Sequence, residues 1–288
     1  IFRPQYLPSA PQSHTYLLNT DHELPIVTLV TEPNNFFSQE EGMYAFGNTY
    51  DPNFPYFGAN FWQDWERPVD LSFYEPTGEL GISFAGGTKI FGGWSRANGQ
   101  RSFSLFARRI YGPGIIDYPF FPSLNYDRFE ALVLRNAGND WLSTNGRDVI
   151  VTGLMKDSGL DYQAARSVAT YINGEYWGMY HLREKVNEHF LAAKHHLAPE
   201  EITILEANGA AVQGSNGEYQ ELMDFIGSNN MAVESNYQQV VEQIDLDNYL
   251  TYQVTQIYCN NTDWPGNNIK FWKSPETRWR WILFDTDF

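Results

Sequence analysis

The hydrophobic pattern changes period once along the chain, and that change limits the fold more than any other feature. Between residues 25 and 182 the apolar residues fall in short β-branched or aromatic runs separated by Gly, Pro and Asn. From about residue 186 they recur at helical spacing. Alternation with period two buries one face of a strand, and spacing of three to four buries one stripe of a helix. Strands grouped first and helices grouped second give an α+β plan rather than a regular βαβ alternation.

Individual elements follow from the same reasoning. Pro25-Ile-Val-Thr-Leu-Val-Thr31 reads as a buried strand. Residues 33–68 read as ordered loops around a short Gly42–Phe46 strand. Val69–Glu75, Leu80–Phe84, Lys89–Gly93, Ser102–Arg108 and Phe129–Arg135 continue a sheet, and Arg147–Ser158 has helical spacing. Ser167–Ile172 and Glu175–Leu182 form a hairpin turning at Asn173-Gly174, because that dipeptide favours the tight turn that matches strand twist. Val186–His196 and Gly217–Ile226 are expected helices. Leu246–Tyr258 is the clearest one, with Asp245 or Asp247 as N-cap and Leu246, Tyr249, Leu250, Val254, Ile257 and Tyr258 as its apolar stripe. Residues 1–24 are polar and Pro-containing, and read as an arm.

Charge and composition narrow the function. The net charge of −16 argues against nucleic acid or an anionic membrane as main partner. It leaves nucleotide binding open, since metal ions can neutralise phosphates locally. Cys259 is the only cysteine, so there is no intrachain disulfide and no cysteine-based zinc site. No apolar run is long enough to suggest a membrane span. The chain opens at Ile1 without a signal-like segment and is expected to be a mature or excised form. Gly-x-Ser-x-Gly, His-Glu-x-x-His and the P-loop pattern are all missing, which removes the usual support for hydrolase, zincin and P-loop readings. His189, His195 and His196 share one expected helix, but without an acidic ligand at matching spacing they read as a solvated helix end. Asp64 and Glu66, near Trp62 and Trp65, are the only hint of a glycosidase pair, and they lack a partner in the sequence.

The chemistry-bearing segment is the tail: Asp263-Trp-Pro-Gly-Asn-Asn268, an apolar run, then Trp281-Ile-Leu-Phe-Asp285-Thr-Asp287-Phe288. Phosphoryl transfer uses an aspartate to orient the attacking hydroxyl, with an asparagine and a later aspartate holding metal on the phosphates. Asp263 lies in a loop after a helix, Asn268 at the entrance of a strand and Asp285 at the exit of the next. A two-stranded ribbon would bring Asn268 and Asp285 together, and Pro265-Gly266 would curl the loop so that Asp263 and Asn268 face one cavity. Asp285 follows four apolar residues, where an unpaired carboxylate is costly unless it meets a metal or a donor.

With three further blocks, this tail resembles the CotH family of spore-coat-type atypical protein kinases over roughly residues 25–288. The blocks are Gly92-Gly-Trp-Ser-Arg96 with Gln100–Leu105, Leu134-Arg-Asn-Ala-Gly-Asn-Asp140, and Tyr171–Lys185, which contains Leu-Arg-Glu-Lys. The resemblance implies a diverged protein-kinase-like fold, with an N-lobe-like part at about 25–183 and a C-lobe-like part at about 184–288. It also implies a family domain that continues past Phe288. The implied activity is transfer of the ATP γ-phosphoryl to a serine or threonine of a surface or coat protein, with Mg²⁺ or a similar cation. The alternative is a kinase-like surface or binding protein without catalysis. On this pattern Asp263 matches the catalytic aspartate, while Asn268 and Asp285 match metal ligands, with Asp287 as a second. Glu184 is the candidate partner of the nucleotide-contacting cation. Arg101 stands where the family strand usually carries lysine; Arg96 or Lys89 could reach the phosphates instead. Family habit points to an extracellular or cell-surface location.

Overall fold

The computed structural model describes residues 13–18 and 23–288, so most of the expected N-terminal arm lies outside it. Within the described part of that arm, the Tyr74 hydroxyl donates to the Thr15 carbonyl at 2.8 Å. Two sheet systems organise the chain, accompanied by six α-helices among the described residues, of which the second and third connect one sheet to the other.

The first is a closed barrel. Its strands are β1 (Ile26–Val30), β2 (Arg67–Tyr74), β3 (Leu80–Phe91) and β4 (Ser102–Phe106). A two-residue pair, β5 (Ile116–Asp117) and β6 (Arg128–Phe129), lies outside it, and β7 (Ala131–Arg135) rejoins the wall. Later in the chain come β8 (Asp161–Tyr162), which belongs to the second sheet, and β9 (Ala165–Ile172) and β10 (Glu175–Glu184), which belong to the barrel. The barrel order is β1-β2-β3-β4-β7-β10-β9, closed by parallel pairing of β1 with β9, Ile26 opposite Ala169. Leu29, Phe73, Phe103, Leu134, Val168 and Tyr180 are fully buried inside it. The Asn173-Gly174 turn forms where expected, with both residues at positive φ.

The second sheet adds β11 (Thr203–Glu206), β12 (Ala210–Gln213), β13 (Lys270–Lys273) and β14 (Arg280–Leu283), in the order β12-β11-β13-β14-β8. Alternate residues of its inner strands point to opposite faces, and both faces are apolar. Ile204, Trp272 and Ile282 pack with α3 (Glu188–His195), after α1 (Pro33–Phe37) and α2 (Arg147–Leu154) in chain order. Leu205, Phe271, Trp281 and Leu283 cluster on the other side with Leu222 and Tyr252. Those two belong to α4 (Gly217–Ser228) and, after α5 (Glu234–Val241), to α6 (Leu246–Tyr258). No helix among the described residues is long and apolar enough to cross a membrane.

Two local expectations fail for physical reasons. Gly42–Phe46 is not a strand: Gly42, Met43 and Tyr44 donate their N–H groups to Ser38, Asn35 and Phe36 at 2.8–2.9 Å, so the segment folds back on α1. Helix α6 has the expected span and N-cap, with the Asp245 carboxylate accepting from Asn248 N–H at 3.1 Å. Its face is turned, however. Leu250, Val254, Ile257 and Tyr258 are exposed, whereas Asn248, Tyr252, Thr255 and Gln256 are buried. The Asn248 amide explains this, since its oxygen accepts from Trp281 N–H at 2.7 Å and its nitrogen donates to the Trp281 carbonyl at 3.3 Å. Satisfying both backbone groups of a buried strand residue orients the helix more strongly than its apolar stripe.

Candidate active site

The loop after α6 builds one wall. The Asn268 amide donates to Asp263 Oδ2 at 2.9 Å and lies 3.4 Å from the Asp285 carbonyl oxygen; the Asn267 amide reaches the same Asp263 oxygen at 3.1 Å. The Asn261 amide donates to the Asp285 carbonyl at 3.3 Å. The β13–β14 pairing, Lys270 opposite Ile282, carries Asn268 and Asp285 to adjacent places. Both residues have positive φ, 55° and 56°. Asn and Asp tolerate this conformation better than other side chains, but backbone held there tends to mark sites that the surroundings over-determine.

Opposite this wall stands Arg135, at the end of β7. One of its nitrogens, Nη2, pairs with the Asp285 carboxylate and with Asp287 Oδ2, the latter at 2.6 Å. Its Nε lies 3.8 Å from Asp148 Oδ2. Asp148, on α2, also pairs with the buried Arg183, and its Oδ1 accepts from the Thr286 N–H and hydroxyl, each at 2.9 Å. The segment 285–287 is therefore fastened to the barrel on both sides. Burial pulls the Arg135 guanidinium down, but Asp285 and Asp287 outweigh it and hold the group above its ordinary range. The Asp287 carboxyl is pushed up, first by burial and then by Asp285, against the pull of Arg135. Gly138 packs on this cluster at φ 58°, and a Cβ there would run into Asp287 Oδ2.

Two neighbouring cavities meet at this point. One, of about 610 Å³, is lined by Asp263, Asn267, Asn268 and Asp285 with Phe54 and Trp94 at its side. The other, of about 480 Å³, is lined by Lys89, Arg96, Lys185 and Lys270 with the rings of Phe91 and Phe106. Gly93, Ser95, Arg135 and Asp285 border both. Each volume lies within the roughly 300–1,000 Å³ usual for small-molecule sites. A chain of net charge −16 has thus gathered five cationic side chains around one cavity and placed carboxylates and amides around the next.

Of the residues singled out from sequence, the structure brings Asp263, Asn268 and Asp285 to one cavity, with Asp287 behind them on Arg135. Arg101 is not among them. It is buried, its guanidinium lies 4.1 Å from the Phe61 ring centroid and 4.5 Å from that of Tyr44, and it lines neither cavity. Glu184 is likewise not a partner for it. Glu184 ends strand β10, where its carboxylate accepts from the Tyr126 hydroxyl and from Ala164 N–H at 2.9 Å. Burial pushes that carboxyl up. Arg96 does line the basic cavity, but its Nε and Nη2 fold back on the Gly92 carbonyl at 2.8 and 2.6 Å. Lys89 lines it too and pairs with Asp64 at 2.9 Å. Glu66 is bound to Arg108 at 2.9 Å, and His195 to Asp161 at 2.6 Å, so the glycosidase pair and the histidine metal face find no support. Arg135, Lys185 and Lys270 went unassigned in the sequence. The available signal was the Leu-Arg-Asn-Ala-Gly block for Arg135 and the Glu-Lys step after a buried strand for Lys185.

Among the described residues no three of His, Cys, Asp and Glu gather into a metal cage. Asp285 and Asp287 carry hard oxygen atoms of the kind that suits Mg²⁺, held together by Arg135, with the Asn268 side-chain nitrogen directed at Asp263 and the Asp285 carbonyl. Asp287 Oδ1 is buried and has no hydrogen-bond partner, as a coordinating oxygen would be before its cation binds. The residues present therefore fit such an ion. No curated protein matches the chain significantly. A family model does match, over residues 88–288, and its description is CotH kinase protein.

Proposed function

Since the chain belongs to the CotH kinase protein family, we propose that it transfers the γ-phosphoryl of ATP to a serine or threonine hydroxyl of a surface or coat protein. Membership in a kinase family implies ATP and a divalent cation in general terms. The observation that supports this reading here is the adjacency of the two cavities, one basic and ring-lined, the other carrying Asp263 and Asn268, with Asp285 on their common border. A nucleotide with its phosphates toward that border would present the γ-phosphorus to a hydroxyl in the second cavity. Asp263 then orients the hydroxyl and takes its proton as the new O–P bond forms and the bond to the β-phosphate oxygen breaks, releasing ADP. Asn268, Asp285 and Asp287 would hold the divalent cation, which when bound offsets phosphate charge. Arg135 keeps Asp285 and Asp287 aimed at one place. We read the barrel-containing part, about 25–183, as N-lobe-like and the remainder as C-lobe-like in a diverged kinase fold.

A binding role without turnover has one observation in its favour: the Asp263 carboxylate is already bonded to two amides and Asp285 to Arg135. Phosphate incorporation from labelled ATP separates the two, comparing wild type with Asp263→Ala and Asp285→Ala. Transfer by wild type that both variants lose supports catalysis. Equal incorporation by all three removes these residues from the mechanism. Stabilisation by ATP with Mg²⁺ but no transfer favours the binding role.

A further inference from the structure

The basic cavity contains a second relationship, between lysines of the two sheet systems. Lys185 follows the last residue of β10 in the barrel, and Lys270 opens β13 in the second sheet. Both line the same cavity. The Lys185 ammonium lies 5.3 Å from the Phe91 ring centroid and 5.5 Å from that of Phe106, and its hydrogen-bond partner is the Ser104 hydroxyl at 3.4 Å. No carboxylate lies within 4 Å of it among the described residues; by contrast, Lys89 has Asp64 at 2.9 Å. Lys270 has only the distant Glu206, at 3.8 Å, and faces the Phe284 ring. Burial lowers the proton affinity of Lys185, and Lys270 and then Lys89 oppose its charge further, while Glu130 and Glu188 work the other way. Two ammonium groups from different sheets thus repel each other across a cavity, in a chain with ample acidic residues to neutralise them.

We propose that Lys185 and Lys270 form an anion clamp for an oligophosphate chain, which on binding ties the barrel to the second sheet. An anion between them turns mutual repulsion into two charge-assisted contacts. The clamp takes the phosphate-holding part expected of Arg101, whose charge is spent on aromatic rings. It builds on the proposed function only in identifying the phosphate chain with that of a nucleotide.

The test uses inorganic triphosphate without base or divalent metal, followed by thermal unfolding of wild type, Lys185→Met, Lys270→Met and the exposed control Lys156→Met. Triphosphate should stabilise wild type and the control alike. Each clamp variant should bind about tenfold or more weakly, the usual cost of losing one charged hydrogen-bond donor. Without ligand, each clamp variant should melt no lower than wild type, because a repelling charge has gone; a purely structural lysine would show the opposite. An undiminished triphosphate shift in both clamp variants overturns the proposal, as does an equal loss in the control. If Lys185→Met does not fold, Lys185→Gln and Lys270→Met decide it by the same readings. ATP-dependent phosphorylation by a protein whose triphosphate binding ignores both lysines would sink the clamp and leave the kinase reading intact; a triphosphate clamp in a protein that never transfers phosphate would do the reverse.

Discussion

Arg101 and Arg135 sit at ends of paired strands, Arg101 just before β4 and Arg135 closing β7, and both are withdrawn from water. Their surroundings differ completely. Arg101 is enclosed by Tyr44, Phe46 and Phe61, and burial holds its guanidinium below the ordinary range. Arg135 has three carboxylates, from Asp148, Asp285 and Asp287. Rings lower the cost of a buried cation without asking anything of other charges, so Arg101 braces its own neighbourhood. Carboxylates bind the cation's fate to their own, so Arg135 fixes where the acids of the tail can be.

The contrast can be tested most forcefully by removing each charge. Arg135→Met should lower the unfolding free energy by about 3–5 kcal/mol, since it strands buried carboxylates, whereas Arg101→Met should cost under about 2 kcal/mol. Urea unfolding measures both, and equal losses would dissolve the distinction. At the acids themselves, Asp287→Asn should reduce phosphate incorporation on the order of a hundredfold or more if it serves the cation. Glu184→Gln, at a carboxylate that is held by Tyr126 and Ala164 and lines neither cavity, should cost about 1–3 kcal/mol of stability while leaving nucleotide affinity in place. Calorimetry with ATP and a transfer assay separate these two effects.

Glycines sharpen the comparison further. Gly138→Ala should destabilise by about 1–3 kcal/mol, because the residue has positive φ and a Cβ would press on Asp287. Gly153→Ala, in open space within α2, should instead stabilise by roughly 0.5–1 kcal/mol. The smallest effect concerns acid. His181 is buried, with Nε2 at 2.6 Å from the Asn145 carbonyl, and burial lowers its proton affinity, with Arg135 adding to the effect. The unfolded chain therefore binds a proton more readily, and stability should fall as pH drops below about 6.5, levelling off beneath the folded value. His181→Gln should flatten that part of the stability–pH curve, read from melting temperatures across a buffer series.

Local signals in the sequence were dependable where the physics was local. Asn173-Gly174 turns its hairpin, Asp245 caps α6, and Asp263 meets Asn268, five positions on, across one loop. Errors arose where distant groups decide. The orientation of α6 depends on an amide bond to Trp281, thirty-three residues away in sequence, and no stripe within the helix encodes it. Arg101 looked like a phosphate ligand from its strand, but Phe61 and Tyr44 had claimed it. Arg135 became the centre only when β7 met a tail 150 residues later. The family match begins at residue 88, so β1 and β2, which complete the barrel, lie upstream of it.

The seam between β1 and β9 has a consequence for synthesis. A nascent chain must emerge as far as Ala169 before Ile26 has its parallel neighbour, and during that interval the first strand keeps one edge open. Unpaired edges invite pairing with other chains, and long-range closure is intrinsically slow. Among the described strands, the first of the barrel is thus the one whose edge waits longest for its neighbour.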